Sequence, residues 1–321
     1  MIALSIAALS ALAAGFNAQA ADAMPGMSKG APRPELGSSA LFTKDGALLV
    51  AAKQGEHVMV YRSSDAGKSW SAPVAVNAQP EAISADGENR PKIAFAADGG
   101  LLVSWTHPFP KPNTGAVRLA RADDGRNFSA PQTVHRDPAV ITHRFESLLT
   151  MPDNRVILAW IDKRDGTGNS DYTGAAIYTA QSQDGGLTFA ANRKLADHSC
   201  ECCRLGMATD QDGTPIVFWR HVFGRNIRDF ALARLNEPLQ RVSEDGWAID
   251  ACPHHGGSLA VDGKAVRHLA WFTGAEKSPG LHYRRIDGKK MSPPMPFGNL
   301  DAQAGHPAVA AKGRDVQLVW R

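Results

Sequence analysis

The sequence predicts an all-β fold, because one pair of apolar strands recurs along most of its length. The composition is that of a globular domain: 43% of the 321 residues are hydrophobic and 21% are charged. In each copy an apolar strand, an Asp-Gly or similar turn and a second apolar strand follow one another. The six copies end at Lys53, Trp105, Trp160, Trp219, Trp271 and Trp320. The Trp residues lie 49 to 59 residues apart, which is room for one four-stranded blade each. The repeat therefore predicts a six-bladed β-propeller, a single domain over residues 34–321.

The second copy shows how each element follows from its residues. Arg90–Ala94 opens the first strand, Asp98-Gly99-Gly100 forms the turn, and Leu101–Trp105 is the second apolar strand. Gly supplies the positive φ that tight turns need, and Asp accepts hydrogen bonds from nearby backbone. The last copy ends at Trp320, so the two outer strands of its blade have no assigned sequence. Either residues 21–33, which are rich in Gly and Pro and too short for two strands, contribute to this blade, or the blade is incomplete.

The first 33 residues predict export. Residues 1–20 form an apolar stretch ending in Ala18-Gln19-Ala20, which fits a signal peptide cleaved after Ala20. Gly15, Asn17 and Gln19 interrupt the apolar run, so we expect no stable membrane insertion. We expect residues 21–33 to be a flexible mature N-terminus and the protein to be periplasmic or secreted.

The charge pattern argues against a nucleic-acid partner. The net charge is only +3, and the Lys and Arg residues do not cluster in runs.

A second motif follows the third strand of three blades. Ser63–Trp70 and Ser182–Phe189 share the pattern S-x-D-x-G-x-x-[W/F], and Ala122–Phe128 is a form one residue shorter. This pattern resembles the Asp-box (BNR) repeat of the sialidase superfamily. An Asp in such a turn caps backbone N–H groups, so we expect these carboxylates to be structural and not catalytic.

In a propeller the loops that lead into the innermost strands meet at one end of the central channel. Aligning the six copies therefore identifies the side chains expected there without any long-range guess. They are Glu88, Arg90, His143, Arg144, Glu146, Cys202, Cys203, Arg204, Cys252, His254, His255 and His306.

The resemblance to sialidases implies a catalytic set among these residues. Active members use an arginine cluster for the substrate carboxylate, a Tyr–Glu nucleophile pair and an Asp acid/base. The matching candidates here are Arg90, Arg144, Glu146 and Arg204. Guanidinium groups bind carboxylates through two hydrogen bonds, and glycosidases need two carboxyl groups with separated pKa values.

The nucleophile is where this sequence departs from sialidases. Tyr61, Tyr178 and Tyr283 all lie in third strands, where Tyr packs against neighbours, and Tyr172 is in a loop of a different blade.

The four cysteines give a different prediction. Cys200, Cys202 and Cys203 precede the fourth inner strand, and Cys252, His254 and His255 precede the fifth. Thiolate and imidazole ligands suit soft metals, so these six residues predict a copper or zinc site. Structural disulfides, for example Cys203–Cys252, and redox-active thiols are the two alternatives.

Three functions follow from these residues. The leading one is an exported propeller whose axial Cys/His/Arg pocket binds or handles a soft metal such as copper. The second is an exo-glycosidase of sialidase type, and the third is a non-catalytic propeller with structural disulfides that binds a small molecule or glycan. The fold does not decide whether the protein is an enzyme.

Overall fold

The computed structural model describes residues 37–166 and 174–321. The predicted signal peptide, the segment 21–33 and Tyr172 lie outside the described residues. Every regular element among the described residues is a strand. These residues contain no helix that is long and apolar enough to cross a membrane. In chain order the strands are β1 (Ser38–Phe42), β2 (Leu48–Gln54), β3 (His57–Ser63), β4 (Val74–Ala75), β5 (Lys92–Phe95), β6 (Leu101–Pro108), β7 (Gly115–Ala122), β8 (Gln132–Thr133), β9 (His143–Thr150), β10 (Val156–Asp162), β11 (Ala175–Ser182), β12 (Arg193–Ser199), β13 (Gly206–Thr209), β14 (Pro215–Phe223), β15 (Ile227–Arg234), β16 (Gln240–Arg241), β17 (Ser258–Val261), β18 (Arg267–Thr273), β19 (Gly280–Asp287), β20 (Lys290–Met291), β21 (Met295–Phe297), β22 (Ala308–Lys312) and β23 (Asp315–Val319).

Consecutive strands pair antiparallel in units of four, as the repeat predicts. The units are β1–β4, β5–β8, β9–β12, β13–β16 and β17–β20, and β21 adds to the last of them beside β19. The final strands, β22 and β23, pair only with each other. The all-β prediction is confirmed, and a count of six complete blades stays a prediction because the last unit has two strands among the described residues.

The second strand is the most buried strand of the third, fourth and fifth units, and it carries the repeated Trp. Trp105, Trp160, Trp219 and Trp271 are completely buried in β6, β10, β14 and β18. Each indole fills the space between its own unit and a neighbour, and a fully buried aromatic side chain is among the largest apolar contributions to stability. Trp320 follows β23, which no further strand covers in the described residues, and its side chain is half exposed.

The apolar cores lie between units, so the units stack face to face. Leu49 and Val58 of the first unit share a core with Leu101 and Trp105 of the second. The later units repeat this arrangement, which brings each first strand beside the first strand of the next unit. The loops before β5, β9, β13, β17 and β22 consequently approach one another.

The third and fourth units are joined into one sheet. Ser199 at the end of β12 pairs with His221 in β14. Beside this pair the Cys200 N–H donates to the Arg220 carbonyl oxygen at 2.9 Å. The cysteine segment 200–203 starts directly at this junction.

The Asp residues of the repeated turns are bound within their own turns. The Ser69 N–H donates to Asp65 Oδ1 at 2.8 Å, and the Thr188 N–H donates to Asp184 Oδ1 at 2.9 Å. In the shorter turn the Asn127 N–H donates to Asp124 Oδ1 at 2.7 Å. These carboxylates cap backbone groups, as a structural role requires.

Candidate functional site: a carboxylate centre and a thiol cluster

Glu88 lies where the loops of four units meet. Its carboxylate accepts hydrogen bonds from Arg204 Nη1 at 2.8 Å, the Arg204 N–H at 2.9 Å, the Gly256 N–H at 2.6 Å and His306 Nδ1 at 2.9 Å. These partners are 116, 168 and 218 residues away in sequence, so the loops that the repeat aligns do converge.

The charge on Glu88 is stabilised in spite of its burial. The side chain is almost completely buried, which works to raise the pKa, but Arg204 and His306 outweigh this effect and lower the pKa to about 2. A buried carboxylate with four donors is a structural anchor. Arg204 Nη1 donates to Glu88, and its Nη2 donates to the Pro307 carbonyl oxygen. Because both terminal nitrogens are engaged, Arg204 is not available to bind a substrate carboxylate through two hydrogen bonds.

Glu146, another predicted catalytic residue, is buried beside Lys92. The Thr106 hydroxyl donates to Glu146 Oε2 at 2.7 Å, and Lys92 Nζ lies 3.9 Å from Oε1. Burial raises the pKa of Glu146 and lowers the pKa of Lys92 to about 8. A carboxyl group with a raised pKa is better suited to donating a proton in catalysis than one with an ordinary pKa.

Arg90 and Arg144 retain hydrogen-bonding capacity at this end of the molecule. Arg90 Nη1 donates to the Gly87 carbonyl oxygen at 3.2 Å, and Arg144 lies with its guanidinium 5.0 Å from the centre of the Phe145 ring. The Nε atoms of both residues are buried without a hydrogen-bond partner. Burial, followed by repulsion from Arg204, lowers the pKa of Arg90 to about 10.

The tyrosines of the described residues are engaged away from this centre. Tyr61 donates to Gln54 at 2.9 Å, Tyr178 contacts Asp165 at 3.0 Å, and Tyr283 lies 2.6 Å from His268 Nδ1. None of these three is paired with Glu146, so a sialidase-type Tyr–Glu pair does not form from them.

The three cysteines of the segment 200–203 form a compact triangle of sulfur atoms. The Sγ–Sγ distances are 3.9 Å for Cys200–Cys202, 4.0 Å for Cys202–Cys203 and 3.8 Å for Cys203–Cys200. All four cysteines are free, so the predicted structural disulfides are absent from the described residues. The sulfur separations are nearly twice a disulfide bond length of about 2.05 Å.

This thiol cluster lies in an apolar core and not in an open pocket. The three side chains are at most 4% exposed and pack with Phe145, Trp219 and other residues between the third and fourth units. Cys252 is exposed and forms a side-chain hydrogen bond with Cys202.

Two arginines favour negative charge on Cys200. Arg228 Nη1 lies 3.2 Å from Cys200 Sγ, and the buried Arg220 also acts on this sulfur. Hydrogen bonding from Cys202 and Cys203, with these two arginines, holds the pKa of Cys200 well below its usual value. Hydrogen bonding to the neighbouring sulfur atoms raises the pKa of Cys202, and burial raises the pKa of Cys203.

The predicted Cys/His pocket divides into two centres. His255 and His306 stand beside Glu88, with ring centres 4.8 Å apart, and His255 also stacks on Phe272 at 4.2 Å. Neither His254 nor His255 belongs to the group of ligand atoms that lie within 4.8 Å of one another at the cysteines.

His143 faces a different direction from its sequence neighbours Arg144 and Glu146. It stacks on His135 at 3.8 Å, and its Nε2 lies 3.7 Å from Asp137 and 3.8 Å from Asp162. Asp162 already binds Arg164 and the Trp160 indole, so this group is a closed network between the second and third units.

Sequence reasoning missed Arg220, Arg228 and Lys92. Arg220 follows the repeat residue Trp219 in β14, and a charged residue inside an otherwise apolar strand is a signal that was available. Arg228 and Lys92 carry no such signal, because their partners are distant in sequence.

The comparisons with known proteins support the fold. No family model and no curated protein matches the sequence. An α-L-arabinanase from Penicillium chrysogenum, solved with arabinobiose, is 12% identical over 89% of this chain and 93% of its own, with a TM-score of 0.55. An α-L-arabinofuranosidase from Fusarium graminearum is 12% identical over 86% and 84%, with a TM-score of 0.52. A fungal lectin from Aleuria aurantia, described as a six-bladed β-propeller that recognises fucose, is 9% identical over 88% and 86%, with a TM-score of 0.52. The chain is therefore an all-β protein of the propeller fold, a fold shared with glycan-active and glycan-binding proteins.

Proposed function

We propose that this protein is an exported propeller that binds one thiophilic metal ion, copper(I) or zinc(II), at Cys200, Cys202 and Cys203. The observation that carries the proposal is the sulfur triangle. An ion at the centre of a triangle with sides of 3.8 to 4.0 Å lies about 2.3 Å from each sulfur, which is the length of a zinc–thiolate bond.

The charges around the cluster support the same proposal. Copper(I) with three thiolates carries a net charge of −2, and so does zinc(II) with four thiolates that include Cys252. Arg228 supplies a positive charge 3.2 Å from Cys200 Sγ, and the positive charge of the buried Arg220 also acts on this sulfur. A buried charge without such compensation is costly. Soft thiolate ligands are preferred by both ions.

The test is metal analysis of the purified full chain together with a free-thiol count. We expect one equivalent of copper or zinc in the wild type, and loss of that metal in Cys203→Ser. The matched control is His255→Asn, which removes a predicted ligand that lies outside the cluster and should retain the metal. Protein that binds no added copper(I) or zinc(II) under reducing conditions refutes the proposal.

The Cys252→Ser variant separates the two ions. A three-thiolate copper(I) site keeps its stoichiometry in this variant, whereas a four-thiolate zinc(II) site loses a ligand and weakens. X-ray absorption at the metal edge reports the number of bound sulfur atoms directly.

The second candidate is a glycan-directed enzyme of the sialidase superfamily. It is favoured by the buried Glu146, whose pKa is raised by burial, and by the Nε atoms of Arg90 and Arg144, which are buried without a hydrogen-bond partner. The repeated Asp turns agree with the superfamily assignment, whereas the commitment of Arg204 to Glu88 removes one guanidinium from the expected cluster. Turnover of a fluorogenic sialoside that is abolished by Arg90→Ala supports this candidate; no turnover of sialosides or arabinosides in the wild type overturns it.

A further inference from the structure

We infer that Cys252 is the transfer ligand of the thiol cluster, the residue through which copper(I) enters from a carrier that presents thiolate sulfur. This inference rests on the proposed metal function. It assigns a role to Cys252, which is exposed whereas the other three cysteines are buried.

The contrast in burial is the first observation. Cys200, Cys202 and Cys203 are sealed in the core between the third and fourth units, where no carrier can contact them. Cys252 is exposed, as are Ala251 before it and His254 two residues after it, whereas Pro253 between them is buried. Cys252 nevertheless forms a side-chain hydrogen bond with Cys202, so an exposed side chain is connected to the buried cluster.

The loop that carries Cys252 is tied to the cluster from outside. Arg228 Nε donates to the Ile249 carbonyl oxygen at 3.1 Å while its Nη1 contacts Cys200 Sγ at 3.2 Å. Apart from a bridge at Ala248, residues 244–257 form no strand, and His254 has a left-handed φ of 49°. The backbone of this irregular segment is thus bound at Ile249 by the same arginine that contacts Cys200, and Cys252 in the segment is exposed.

The chemistry of transfer is ligand exchange. The Cys252 thiolate bonds to copper(I) while the carrier sulfur is still attached, and the carrier–copper bond then breaks. Cys202 bonds next, followed by Cys200 and Cys203, and the bond to Cys252 breaks. The protons of the cluster thiols pass to solvent, the carrier keeps its thiolate electron pair, and copper stays in the +1 state.

The experiment measures equilibrium and rate separately in the full chain. Copper(I) is supplied as its glutathione complex under reducing, anaerobic conditions, and loading is followed by the thiolate–copper absorbance. In Cys252→Ser we expect one equivalent of copper at equilibrium, as in wild type, reached at least tenfold more slowly. His254→Asn, an exposed neighbour two residues away, is the control and should load at the wild-type rate.

Two results overturn the inference and leave the metal site itself intact. One is a loading rate in Cys252→Ser that is reduced by less than tenfold. The other is loss of equilibrium copper in this variant, which makes Cys252 a permanent ligand. Failure of the wild type to load refutes the proposed function instead. Because Cys252 is exposed, its replacement does not disturb the core, and circular dichroism of the variant checks this.

Discussion

Replacement of Glu88 by Gln tests whether the loops of four units are held together by one carboxylate. The change keeps the size of the side chain but removes the charge that faces Arg204, and it places an amide donor among four donors. Removing one partner of a buried ion pair costs about 3–5 kcal/mol, because the remaining charge stays buried and unpaired.

The pKa of Glu88 gives an independent magnitude. Arg204 and His306 hold the pKa at about 2, below its ordinary value of 4.5. This difference corresponds to about 3 kcal/mol of folding free energy at neutral pH. Since the folded-state pKa is the lower one, the contribution is complete above pH 4.5 and is lost as the pH falls toward 2.

The assay is urea unfolding followed by Trp fluorescence, at pH 7 and at several pH values below 4.5. We expect Glu88→Gln to lower the free energy of unfolding by about 3–5 kcal/mol at pH 7, and the difference from wild type to shrink as the pH falls below 4.5. The control, Glu237→Gln, removes a half-exposed partner of Arg234 and should cost at most about 0.5 kcal/mol. A loss below about 1 kcal/mol at pH 7, or a loss that is independent of pH, refutes the argument.

Two further predictions concern buried side chains. Trp160→Phe should destabilise the protein by about 1–3 kcal/mol more than Trp219→Phe, because Trp160 donates to the buried Asp162 at 2.8 Å whereas Trp219 Nε1 has no partner. Equal losses in urea unfolding would contradict this reasoning. Burial lowers the pKa of His221 in the folded protein to about 4. As the pH falls below 6.5, this histidine therefore binds a proton in the unfolded chain before it does so in the folded protein, and the folded protein loses stability. His221→Asn should therefore flatten the fall in stability between pH 6.5 and 4, measured by urea unfolding at several pH values; an unchanged pH dependence would contradict the prediction.

The repeat in the sequence was sufficient to predict the strand pairs and which loops meet. Hydrophobic periodicity and turn residues specify strands locally, and homologous positions in a repeated unit occupy equivalent places in the fold. The contacts of Glu88 with Arg204 and His306 confirm that the loops meet.

The separation of the predicted pocket into a Glu88 centre and a cysteine cluster was not predictable from the repeat. Cys200 to Cys203 lie in an irregular connection, where no period tells which side chains face a core. Arg204 was expected to face a substrate, but its ion pair depends on a carboxylate 116 residues away. Such choices are made by tertiary packing and charge compensation, which one sequence does not display.

The strand pairing of Ser199 with His221 adds a backbone link between the third and fourth units, which also share an apolar core. In repeat architectures each unit can open locally, because it contacts only its neighbours. Here the third unit cannot separate without breaking the ladder at Cys200 and Arg220, so the third and fourth units should exchange their amide hydrogens as one cooperative body. The sulfur triangle sits on this seam, and an ion bound there would slow the opening of both units together.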